Sequence, residues 1–113
     1  MTLFAMAVPI PQGNEAKWKD FVNDLNGSRK AEYRANRKKL GVRERTFLQQ
    51  TPMGDFVVVT LEGNDPTSAI TKFAEGNDDF TRWFKSKVQE VHGMDLSGPM
   101  PFPLPTLVID SGE

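Results

Sequence analysis

Asp55-Phe56-Val57-Val58-Val59-Thr60-Leu61 is the stretch on which the fold turns. It is rich in β-branched residues and apolar at both odd and even positions, so it predicts a strand buried on two faces. Just upstream, Thr51-Pro52-Met53-Gly54 carries proline and glycine where a tight turn takes them, which makes the strand the second arm of a hairpin. The first arm is Val42 to Gln50. Arg43, Arg45, Phe47 and Gln49 share one of its faces, and Val42, Glu44, Thr46, Leu48 and Gln50 share the other. So polar a strand suits a sheet edge, where charge discourages stray pairing.

Upstream of the hairpin, Leu3 to Val8 is a second run apolar on both faces, ending at Pro9-Ile10-Pro11. Asn14 then reads as the N-cap of a helix, with Trp18, Phe21, Val22 and Leu25 forming one buried stripe. Asn26-Gly27-Ser28 interrupts that helix, with a left-handed stop expected at Asn-Gly and a new cap at Ser28. The helix over 29–39 is basic and ends at Gly41; only Tyr33, Leu40 and two alanines are available for burial. Downstream, Asp65-Pro66 pairs an N-cap with proline at the first helical position. That helix buries Ala69, Ile70 and Phe73 and closes at Gly76. Asn77-Asp78 opens another with Phe80, Phe84, Val88 and Val91 on one face, Trp83 beside them and Gly93 as the stop. Prolines 99, 101, 103 and 105 force an extended approach to a last short strand, Thr106 to Asp110.

The resulting order, β–α(α)–β–β–α(α)–β, predicts one α+β domain over 1–113 with ferredoxin-like βαββαβ topology. The expected sheet is antiparallel and four-stranded, in the order 4-1-3-2, with all helices on one face. That arrangement leaves the far side of both doubly apolar strands uncovered. An apolar face of that size predicts an interface, met by packing two sheets face to face about a two-fold axis.

In this the chain resembles the dimeric α+β barrel superfamily over nearly its whole length. The resemblance is carried by the element order, the two doubly apolar strands, and the segment Phe80-Thr81-Arg82-Trp83-Phe84 through Val91-His92-Gly93. The superfamily includes antibiotic-biosynthesis monooxygenases, stress-responsive A/B-barrel proteins and haem-degrading monooxygenases. The resemblance implies a sheet-face homodimer whose cleft, between sheet and helices, takes a small organic molecule. Such clefts host cofactor-free oxygenation or isomerisation, although a fold by itself specifies no activity.

Composition excludes much else. The 113 residues include no cysteine and one histidine, so thiolate nucleophiles, disulfides, iron–sulfur clusters and paired-imidazole metal sites are ruled out, and no metal is expected. Hydrophobic residues at 38% and charged residues at 26% describe a soluble globular chain. No apolar run approaches the roughly 20 residues that span a bilayer, and no basic leader precedes Leu3. A cytoplasmic protein with no membrane partner is expected.

His92, near the end of the last helix, is the weak candidate for a general base, with capping of the helix's carbonyls as the plainer role. Haem-degrading relatives use an Asn, a Trp and a His; Trp83 and His92 echo two of these, but Thr2 to Ile10 holds no Asn. The residues therefore favour no cofactor over haem. Tyr33, Phe47, Trp83 and Lys87 join His92 as expected ligand-lining residues. For Lys87 the simpler expectation is that it snorkels along the apolar surface, and for Tyr33 that its ring packs under arginines. Charge supplies the rival reading. Residues 29–45 hold eight basic and two acidic residues, net +6, while the rest of the chain balances to −7. Arg34, Arg37, Lys38, Arg43 and Arg45 could then dock an acidic partner or an anion. Nucleic acid is disfavoured because Met53 to Val59 offers a single aromatic for base stacking.

Overall fold

The computed structural model describes residues 1–98, 100 and 102–112. Their element order is β1 (Thr2–Ile10), α1 (Glu15–Asn26), α2 (Lys30–Leu40), β2 (Val42–Thr51), β3 (Gly54–Gly63), α3 (Pro66–Glu75) and α4 (Asp79–His92). The sheet is antiparallel in the order β1-β3-β2. Ala7, Val58 and Phe47 stand side by side across it, as do Met6, Val59 and Thr46.

Alternation along these strands sends Phe4, Val8, Val57 and Leu61 into the core, where all four are buried. The core has two lobes. Val8, Phe21, Phe73, Phe80, Phe84, Val88, Val91 and Met94 form the larger, and Phe4, Val42, Leu61 and Ala69 the smaller. Aromatic edges lock the larger lobe: Phe84 meets Phe21 at 5.1 Å and Phe73 at 5.3 Å between ring centroids, both edge-on.

Local chemistry sets the boundaries. Asp65 Oδ1 accepts from the Ser68 amide at 3.1 Å, with Pro66 opening α3. Asp78 caps α4, accepting from the Thr81 amide at 3.2 Å and the Thr81 hydroxyl at 2.6 Å. Gly41 ends α2 at φ 75°, a left-handed conformation that costs glycine least. Gly63 is required for a different reason: a Cβ there would collide with the Gly41 carbonyl oxygen.

Three expectations are corrected. Ser28 caps nothing, and Gly27 is not left-handed (φ −127°); α2 begins after Arg29 with no side-chain cap. Asn14 stands at the N-cap of α1, as expected, and its carbonyl accepts from the Trp18 amide at 3.0 Å, but its side chain makes no capping bond there. Its side-chain amide instead donates to the Val91 carbonyl at 2.9 Å, tying the start of α1 to the end of α4. The largest correction concerns the fourth strand. Thr106 to Asp110 joins no sheet, so the described sheet has three strands and β1, expected in the centre, is an edge. The stretch has no β ladder to hold it, and Leu107, Val108 and Ile109 are 74%, 88% and 84% exposed. Of the proline-rich approach, Pro99 and Pro101 lie outside the described residues. Among those residues, no helix is long and apolar enough to cross a membrane.

Candidate functional site

The inner face of the sheet and the helices do not close completely on each other. Between them lies a cavity of about 560 Å³. Its floor is Phe4, Met6 and Val8 of β1 with Val57, Val59 and Leu61 of β3. Trp18, Phe21 and Leu25 of α1 and Ile70 and Phe73 of α3 form its walls, and Met94, Leu96, Met100 and Leu104 line the side where the chain leaves α4. The walls come from alternate strand positions and from helix stripes, which explains why they are overwhelmingly apolar.

A few polar groups break that surface. Arg37 of α2 and Glu44 of β2 both line the cavity and form an ion pair, Nε to Oε1 at 2.8 Å, with their side chains about nine-tenths buried. The Thr46 hydroxyl donates to the other Glu44 oxygen at 3.3 Å, and Arg37 also donates to Asn36 Oδ1. The Arg37 guanidinium lies 4.7–5.0 Å from the ring centroids of Phe84, Phe73 and Tyr33. Charge here is neutralised within the wall, so this pair gives the cavity polarity without net charge. Burial pushes the Tyr33 phenol well above its ordinary range, and the Glu44 carboxylate works in the same direction, so the ring stays neutral.

His92 contributes another polar group, beside Thr67, Thr71, Glu75 and Ser97 at the lining. Its Nδ1 lies 2.9 Å from the Pro9 carbonyl oxygen. A carbonyl only accepts, so Nδ1 carries the proton and Nε2 keeps its lone pair. Burial holds the imidazole below its ordinary pKa of 6.5, against a smaller opposing effect of the Pro9 bond. The ring that lines the cavity is thus a neutral imidazole with a fixed tautomer and a free acceptor.

Of the five expected ligand-lining residues, the structure places only His92 on this cavity. Phe47 points from the opposite face of the sheet and is 56% exposed, because β2 alternates and its inward positions are Val42, Glu44 and Thr46. Trp83 sits behind the cavity wall, edge-on to Phe21 at 5.6 Å and under the Arg29 guanidinium at 4.5 Å. Trp83 and His92 therefore do not line one common cavity. Tyr33 stacks on Phe84 and packs under Arg37. Lys87 is half-buried along α4, its ammonium 3.5 Å from Glu90.

The basic patch also divides. Arg37 is buried and neutralised by Glu44. Arg45 turns to the outer face and meets Glu62 at 3.5 Å. Arg34, Lys38 and Arg43 remain exposed and, with Lys30 and Tyr33, line a second, open cleft of about 500 Å³ beside α2. None of Lys30, Arg34, Lys38 and Arg43 has an ion-pair partner among the described residues.

The sequence reading missed the Arg37–Glu44 pair, although a signal was present: Tyr33, Arg37 and Leu40 recur at the i, i+4, i+7 spacing of one helix face. It also missed the Met94–Leu104 wall, which has no periodicity to announce it. No protein-family model, no curated protein and no solved structure matches the chain. The functional reading therefore rests on the site itself.

Proposed function

We propose that this protein binds a small, uncharged, largely apolar organic molecule in the cleft between sheet and helices, without a resident cofactor, as a homodimer joined through its outer sheet faces. The observation that carries the reading is the cavity of about 560 Å³ whose largely apolar walls are broken by the satisfied Arg37–Glu44 pair and by His92, which keeps one acceptor free. Ligand sites in general have this make-up of apolar walls with a few convergent polar groups. An anionic ligand would find no unpaired cation there among the described residues, because Arg37 is held by Glu44. A ligand hydroxyl or an acidic C–H would meet the His92 Nε2 lone pair. The chemistry on offer is proton transfer, in which Nε2 takes a proton from one ligand atom and returns it at another, an isomerisation. The dimer is supported by the outer face, where Leu3 and Phe47 are exposed beside Val58.

A neutral naphthylamine fluorophore tests the cavity. One molecule per chain is expected to bind with enhanced emission. Val59→Phe, which fills the floor, should abolish binding with the circular dichroism unchanged, whereas Phe47→Ala on the outer face should leave it intact. Absent binding, or equal binding by both variants, would sink the reading. Light scattering tests the dimer.

A second reading attaches to the basic cleft, where Lys30, Arg34, Lys38 and Arg43 have no ion-pair partner among the described residues and the one lining carboxylate, Glu44, is held by Arg37. It is that this surface docks an acidic partner. Such binding would fall steeply with salt and vanish in Arg34→Glu/Lys38→Glu, while fluorophore uptake by the cavity would not respond to either.

A further inference from the structure

Two unfinished lengths of backbone occur in this chain. The first is the outer edge of β1. Pro9 has no N–H to give and its carbonyl accepts from His92, so Pro9 faces away from β3. With the two-residue period of a strand, Ala7, Ala5 and Leu3 turn their N–H and C=O groups outward as well. No strand pairs with them among the described residues.

The second is the tail. Thr106-Leu107-Val108-Ile109-Asp110 has the make-up of a strand, yet its three apolar side chains are among the most exposed in the molecule. The tail is not placed to take the free edge of its own chain. An antiparallel neighbour would begin where α4 delivers the chain, beside Pro9, but there Met94 is buried and Leu96 is used in the cavity wall. The accessible surface, 7683 Å², exceeds the about 6,200 Å² of a compact chain of this mass. The excess is larger than the roughly 800 Å² that one partner buries in a stable interface.

We propose that Thr106–Asp110 of one copy adds as a strand to the outer edge of β1 in a second copy, and reciprocally, so that the fourth strand of each sheet is supplied in trans. The inference rests on the homodimer part of the reading above and not on the ligand. It satisfies the backbone groups of Leu3, Ala5 and Ala7 and gives Leu107, Val108 and Ile109 neighbours. It also blunts an edge that would otherwise template aggregation.

The absence of cysteine makes the test clean. Ala5→Cys protein is mixed with Val108→Cys protein under mild oxidation, with Leu107→Cys and Ile109→Cys covering the register. A covalent heterodimer is expected at one or two of these positions, since paired strands bring Cα atoms within disulfide reach. A chain ending at Leu104 should keep its circular dichroism, because residues 105–112 are all exposed, and should dissociate at a higher concentration than the full-length chain in light scattering. No heterodimer at any position would overturn the proposal. So would a disulfide forming only within the doubly substituted chain, which would put the tail on its own β1. Dissociation at an unchanged concentration without the tail would also overturn it, while leaving the sheet-face dimer standing. A monomeric full-length chain would overturn both, and fluorophore uptake, read separately, would still decide the ligand.

Discussion

The two faces of the sheet are built from the same strands and end in opposite situations. On β2, Glu44 turns inward to a buried pair with Arg37, while its neighbour Arg45 turns outward to Glu62 with both side chains more than a third exposed. On β3, Val57 is 3% exposed beneath the helices, while Val58 lies on the open face between Ala7 and Phe47. One residue of register separates each pair, and that single step decides whether a side chain carries the fold or an interface.

The ion pairs should give the largest contrast. Arg37→Ala leaves the Glu44 carboxylate buried without its partner and is expected to cost about 3–5 kcal/mol in urea unfolding. Arg45→Ala on the outer face should cost about 1 kcal/mol or less. Comparable losses would break the comparison. The valines come next. Val57→Ala should cost about 2 kcal/mol through lost burial and a residual cavity. Val58→Ala should cost about 0.5 kcal/mol when the protein is dilute, and more as concentration rises, if the outer face meets a second copy. A concentration-independent effect at Val58 would argue against that contact.

The smallest effect is that of pH on His92. Burial lowers its folded pKa below the ordinary 6.5, so the unfolded chain takes up the proton first as pH falls. The resulting stability is full above pH 6.5 and declines as pH drops through that value toward the folded pKa. His92→Gln should flatten this part of the stability profile. An unchanged profile would mean that the ring is solvated rather than lining the cavity.

Helix ends at Asp65, Asp78, Gly41 and Gly93 were legible because their causes are local: a side-chain oxygen within three residues, or a backbone turn that glycine tolerates. The hairpin at Pro52-Met53 was legible for the same reason. The two doubly apolar strands announced the β1–β3 pairing and a sheet with one face to spare. The candidate site was much less legible. Phe47, Trp83 and Lys87 had the right chemistry for a lining, but which way a side chain points depends on register and on helix rotation, and neither is a property of residue type. His92 was noticed for being alone; that its proton sits on Nδ1 follows from the Pro9 carbonyl, distant in sequence.

From composition and spacing alone came the absence of thiol and paired-imidazole chemistry, the positions of the elements, and the polar character of the β2 edge. These depend on what each residue is and on neighbours within a turn or a strand. Tertiary structure alone decided that Arg37 is inside rather than on a basic patch, that the Asn14 side chain ties the start of α1 to the end of α4, and that the sheet and helices stand far enough apart to leave a cavity. It also left Thr106–Asp110 without a partner. Each depends on how residues far apart in the chain are brought together, which no local pattern measures.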